Sequence, residues 1–215
     1  MRNILALGGL VALALFFATS ASARKAPVPK AKEGPKPARN YYASAVGTKW
    51  VYEDGGKERT WEVTAVAKKK NGETVVIVTE SGPNGPVAVE KVVVSQKGLF
   101  KVETGRFTHA PVCLLELPAK AGNKWNFDVA QQDMGQQPGL RGEKGTVTVG
   151  EVEEVKVPAG TFEALRVEVV LTEVNGQGLV RQVEYTRWYD PEIGLVKMTQ
   201  GKWTRELKSY TPGKK

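Results

Sequence analysis

From residue 49 onward the chain is written in short alternating runs of apolar and polar residues, broken by Gly, Pro and Asn, with no convincing helical period of about 3.6 residues. That pattern confines the body to β structure. Trp61, Val63 and Ala65 fall on one strand face, with Thr60, Glu62 and Thr64 on the other. Leu165, Val167, Val169 and Leu171 oppose Arg166, Glu168 and Thr172 in the same way, the mark of a sheet wet on one face. Further strands are predicted at 73–80, 87–95, 98–103, 112–117, 124–129, 145–157, 179–189, 194–200 and 202–210. Asp54-Gly55-Gly56, Asn71-Gly72 and Asn175-Gly176 supply the residues that hairpin turns require, so the connections read as short and antiparallel. The expected fold is all-β: an antiparallel, strongly curved sheet or half-open barrel or sandwich, without substantial helix in the mature body.

Two motifs recur in the same order. Val46-Gly47-Thr48-Lys49-Trp50-Val51-Tyr52-Glu53 is echoed by Ala121-Gly122-Asn123-Lys124-Trp125-Asn126-Phe127-Asp128, and Lys97-Gly98-Leu99-Phe100-Lys101 by Ile193-Gly194-Leu195-Val196-Lys197. This predicts two related halves, about 41–103 and 116–200, inside a single β domain over 40–215. In each copy the Trp and the aromatic two residues later share a strand face. The longer second copy is accounted for by the polar loop Gln131 to Arg141 and the Val157-Pro158-Ala159-Gly160-Thr161 turn.

The N-terminus is of another kind. Arg2, an uncharged and mostly apolar run from Ile4 to Ala18, and Ala21-Ser22-Ala23 form a signal peptide over 1–23, with cleavage expected after Ala23. An uncleaved anchor is the competing reading, but the apolar run falls short of the roughly 20 residues a spanning helix needs. The sole cysteine, Cys113, lies far from that site, so the mature N-terminus carries no thiol to acylate. The expected product is periplasmic or secreted, with no transmembrane segment after cleavage.

Charge follows this division. The formal net charge is +8, but Arg24, Lys25, Lys30, Lys32, Lys36 and Arg39 precede the folded region against only Glu33. With four prolines, residues 24–39 read as a disordered basic linker of polyproline character. The linker is a spacer, or makes weak contact with an anionic envelope surface that salt would screen. The body is close to neutral, which argues against nucleic acid as a partner.

Three segments carry a family resemblance: Tyr41-Tyr42-Ala43-Ser44-Ala45-Val46-Gly47-Thr48-Lys49-Trp50-Val51-Tyr52, Val157-Pro158-Ala159-Gly160-Thr161-Phe162, and Trp188-Tyr189-Asp190-Pro191-Glu192-Ile193-Gly194-Leu195-Val196-Lys197. They resemble the motifs of a poorly characterised group of secreted bacterial β proteins, some called TapB-like, in which Pro usually stands where Ala43 does. The group is loosely similar to half-open barrels of envelope lipoprotein carriers such as LolA. These are turn and core signatures, so the resemblance implies fold and location and carries no site residues.

Catalytic chemistry finds little support. His109 is the only histidine, in Thr108-His109-Ala110-Pro111 between two predicted strands, and a usual zinc site needs several His or Cys ligands. Ser44, Ser81, Ser95 and Ser209 lack a nucleophile-elbow context. Glu153 and Glu154 face opposite sides of a strand; Glu151 and Glu153 share a face but read as a solvated edge. Gly82-Pro83-Asn84-Gly85-Pro86 is a turn without the Lys and helix of a phosphate loop. Cys113 reads as a small core residue, with an intermolecular disulfide as the alternative. No catalytic, metal or cofactor residue is assigned.

The tryptophans remain. Aromatics in alternating strands are usually core, but a curved sheet that fails to close leaves them lining a concave apolar surface. Trp50, Tyr52, Trp125, Phe127 and Trp188 are the candidate ligand-binding residues. The expected function is a non-enzymatic binding module for an apolar or lipid-like envelope component; the alternatives are a structural or protein-interaction module and, remotely, a hydrolase using Glu or Lys groups.

Overall fold

The computed structural model describes residues 40–82, 85–105, 107–130, 140–175 and 180–214, all within one compact unit, Pro37–Lys215. The segments expected to be a signal peptide and a basic linker, Pro83, Asn84, most of the loop from Gln131 and Gly176 of the Asn175-Gly176 turn lie outside the described residues, as does the side chain of His109.

The described chain is all-β, without helix. Its strands are β1 (Lys49–Asp54), β2 (Lys57–Lys68), β3 (Thr74–Gly82), β4 (Gly85–Ser95), β5 (Gly98–Thr104), β6 (Phe107–Glu116), β7 (Lys124–Ala130), β8 (Leu140–Val157), β9 (Gly160–Asn175), β10 (Val180–Asp190), β11 (Gly194–Gln200) and β12 (Trp203–Thr211). Each pairs antiparallel with its neighbour in sequence, except that β6 and β7 form no ladder, while β1 pairs with β12. The sheet order is therefore β6-β5-β4-β3-β2-β1-β12-β11-β10-β9-β8-β7. One strongly curved sheet results, nearly closed into a barrel, with its edges at β6 and β7. Across those edges the Trp125 indole Nε1 donates to the Cys113 carbonyl at 3.1 Å.

The core is the inward face, where Val63, Val76, Val78, Val92, Leu99, Val167 and Leu207 are fully buried. Alternation produces this directly: Leu165, Val167, Val169 and Leu171 are all buried while Glu168 is exposed. Outer positions carry surface ion pairs such as Arg166 to Glu168 at 2.8 Å.

Bulges supply curvature and correct two readings. Val63 pairs with Val78 but Ala65 with Ile77, so Thr64 is an extra residue and Ala65 leaves the inward face. Val66, paired with the fully buried Val76, packs on the core in its place. Thr108-His109-Ala110-Pro111 is not a link between strands but part of β6, where Lys101 pairs with Val112 and Glu103 with Thr108. Pro111 is compatible with a strand there because β6 is an edge and the bulge spares its missing N–H.

The strands that carry Trp50 and Trp125 start alike. Gly47 and Gly122 have φ of 82° and 86°, a left-handed conformation that favours glycine. The Gly47 N–H donates to Val63 O at 2.9 Å and Val63 N–H returns to Thr48 O at 2.9 Å. Gly122 N–H donates to Val149 O at 2.8 Å and Val149 N–H to Asn123 O at 2.9 Å. Trp50 is 4% exposed, whereas Trp125 is only half-buried.

Candidate functional site

Before β1, Tyr41 and Tyr42 lie against the β10–β11 turn and the barrel interior. Tyr41 N–H donates to Pro191 O at 3.0 Å, with Tyr41 held at φ 50°, an uncommon conformation for a bulky residue. Trp50 Nε1 donates to Ile193 O and the Tyr52 hydroxyl to Leu195 O, both at 2.9 Å. The turn is itself fixed by Asp190, whose Oδ1 accepts the N–H groups of Glu192 and Ile193 at 2.9 Å. Two of the segments that carry the sequence resemblance are thus bound to one another across 143 residues of chain.

Inside this frame lies a cavity of about 270 Å³, lined from eight strands and by Tyr42. One side is aromatic. Tyr52 and Trp61 pack edge to face with centroids 5.3 Å apart, and Tyr42 tilts against Trp50 at 6.1 Å. Leu195 and Met198 of β11, Leu114 of β6 and Val89 of β4 add aliphatic and thioether surface. Val89 reaches the wall through a bulge: Val78 pairs with Glu90 and Thr79 with Ala88, leaving Val89 unpaired in the ladder to β3.

Two arginines bring charge into this space, beside Lys101 and Glu90 in its lining. Arg205 of β12 grips Asp54 through Nε at 3.0 Å and Nη2 at 2.6 Å while stacking 4.4 Å from the Trp61 ring centroid. Asp54 is buried and Arg59 meets the same oxygen at 3.3 Å, so this cation is neutralised by the fold. Arg187 of β10 is bound differently. Its guanidinium lies 4.6 Å over the Tyr185 ring, with Nη2 donating to the Tyr185 hydroxyl at 3.2 Å and Nη1 to the Tyr189 hydroxyl at 3.5 Å. Burial opposes its charge, but the two tyrosines and Glu90 outweigh that and raise its pKa further. Glu90 accepts the Tyr42 hydroxyl at 2.7 Å. Burial first, then Glu90, pushes the Tyr42 phenol well up, and burial raises Tyr52 and Tyr189 as well. The phenols stay neutral donors.

Of the five expected binding residues, Trp50 and Tyr52 line this cavity. Trp125, Phe127 and Trp188 are not among its lining residues. Trp125 bonds across the β6/β7 opening, and Phe127 covers Gly145, where an added Cβ would lie 2.8 Å from its ring. Trp188 pairs with Arg166 on the face opposite Tyr189 and donates to Glu153 at 2.6 Å. Sequence reasoning passed over Arg187, Arg205, Glu90 and Tyr42. For Arg187 a signal existed: in Tyr185-Thr186-Arg187-Trp188-Tyr189 alternation places the arginine on the same face as two tyrosines and Trp188 on the other.

No protein-family model matches the chain, and no curated protein does. Solved structures do share its architecture. A "putative lipoprotein" from Parabacteroides distasonis ATCC 8503 superposes with a TM-score of 0.57 at 16% identity, over 82% of this chain and 100% of the other. The likeness is one of fold. A "putative exported protein with YmcC-like fold" from Bacteroides fragilis NCTC 9343 gives a TM-score of 0.55 at 14% identity, over 81% and 100% of the two chains.

Proposed function

We propose that this chain is an exported, non-enzymatic binding module of the bacterial envelope whose barrel cavity takes an apolar or lipid-like component. The observation that carries the reading is the cavity itself, an aromatic and aliphatic space inside a sheet whose core is otherwise closely buried. Export is supported by the signal pattern of residues 1–23 and by the exported or lipoprotein character ascribed to the two structural neighbours. Apolar-inside, polar-outside alternation is the reverse of an outer-membrane barrel, whose lipid-facing band is apolar. The matching starts of β1 and β7 support a body built from two related halves, about 41–103 and 116–200.

Titration with fatty acids and phospholipids, followed by tryptophan fluorescence, tests the reading, because Trp50 and Trp61 stand in the wall. A saturable change that survives high salt is expected; salt removes adsorption through the basic linker. No saturable change with any of them sinks the carrier reading. Sequencing of the exported protein should start at Arg24, and an intact Met1 in membrane pellets would overturn the cleavage. The unpaired ladder between β6 and β7 favours a second reading, a module that binds protein through its strand edges.

A further inference from the structure

Resting on the reading of the cavity as a ligand site, the geometry points to an anionic amphiphile as its occupant, with the acidic head on Arg187 and the tail against the aromatic wall. Arg187 lines the cavity, and no ion pair among the described residues includes it. Its described hydrogen bonds, at 3.2 and 3.5 Å, run to phenol hydroxyls and occupy two of the five N–H donors of a guanidinium. Arg205 in the same cavity shows the contrast, since Asp54 already holds it at 2.6 Å. Beside Arg187 the wall carries the carboxylate of Glu90, which the Tyr42 hydroxyl engages. Glu90 acts on the Arg187 guanidinium only at longer range, outside ion-pair distance, so a carboxylate brought from outside can meet it through two parallel N–H···O bonds. The Trp61 indole N–H is a second donor without an acceptor, being buried and unbonded among the described residues.

The tail follows from the remaining wall. Trp50, Tyr52, Leu195 and Met198 are its apolar part. A volume of about 270 Å³ lies at the small end of ligand cavities, which run from roughly 300 Å³ upward, and suits a short chain such as octanoate better than a two-chain phospholipid held whole.

Calorimetry of the purified protein with octanoate, 1-octanol and octylamine at neutral pH separates head from tail. Octanoate should bind at least about tenfold more tightly than 1-octanol, as a charged hydrogen-bonded pair implies. Arg187→Gln should remove that advantage while leaving 1-octanol within about threefold of its original affinity. Arg187→Lys, which keeps the charge but not the fork, should fall between and serves if the glutamine variant unfolds. Equal affinity for octanoate and 1-octanol, unchanged by either substitution, overturns the anionic head and leaves the cavity reading standing. Preference for octylamine also overturns it, assigning the head to Glu90. Binding of none of the three overturns both.

Discussion

The Tyr41 backbone N–H and the Trp50 and Tyr52 side chains each donate to a carbonyl of the Pro191–Leu195 segment, so single residues fix where the start of the barrel meets the β10–β11 turn. Trp50 combines that bond with near-complete burial, and Trp50→Ala is expected to cost about 3–5 kcal/mol. Trp125 is half-buried, so Trp125→Ala should cost less, about 1–2 kcal/mol. Urea unfolding of both variants checks the ranking; equal losses would contradict it. Protonation gives a second prediction. Burial raises Tyr42, Tyr52 and Tyr189, and burial together with Glu116 pushes the Cys113 thiol up to about 12. Unfolded phenols ionise near about 10 and thiols near about 8.5. Folded values above unfolded ones mean that stability is complete below the unfolded values and is lost as pH climbs towards the folded ones. The melting temperature should hold at neutral pH and fall from about pH 9 upward. Tyrosinate absorbance of these buried phenols should rise only as the protein unfolds. Full native titration near about pH 10 with no loss of stability would contradict this.

At the scale of elements, the β7–β8 pair shows how a glycine makes room for an aromatic. Phe127 pairs with Gly145 and lies over it, and a Cβ at Gly145 would also crowd the backbone of β9. Gly145→Val should therefore cost about 1–3 kcal/mol or more by overpacking, read by chemical unfolding, and a neutral result would contradict the packing. Asp54→Ala tests the β1–β12 closure: it strands Arg205 beside the core and should cost about 3–5 kcal/mol, partly recovered by Arg205→Met in the double variant. Strands were legible in the sequence because a period of two survives wherever one face is buried, as from Leu165 to Leu171. Bulges were not, because a bulge is defined by the partner strand. Thr64, Val89 and the His109 segment look like ordinary alternation or a break until β3 and β5 are set beside them. The site was half legible for the same reason. Trp50 and Tyr52 announce an inward face by their bulk, while nothing in residue type singles out Glu90, and the alternation that places Arg187 beside two tyrosines gains meaning only when the curved sheet brings β4 and β10 to one cavity.

The described body is a meander whose first and last strands zip together and whose middle strands, β6 and β7, form no ladder between them. Pairing of β1 with β12 turns a chain of local hairpins into a nearly closed barrel, leaving β6 and β7 as edges and the interior too large to be filled everywhere by Val and Leu. The central claim is that this space holds a small amphiphile. Native mass spectrometry of the protein recovered from its own envelope tests it most directly, since ligand and partner protein differ in mass. The account predicts a single adduct of small, acidic, chain-bearing character, released on denaturation and lost in a cavity-filling Leu195→Trp variant that still folds. A bare polypeptide mass, or a complex with another protein and no small molecule, would contradict it.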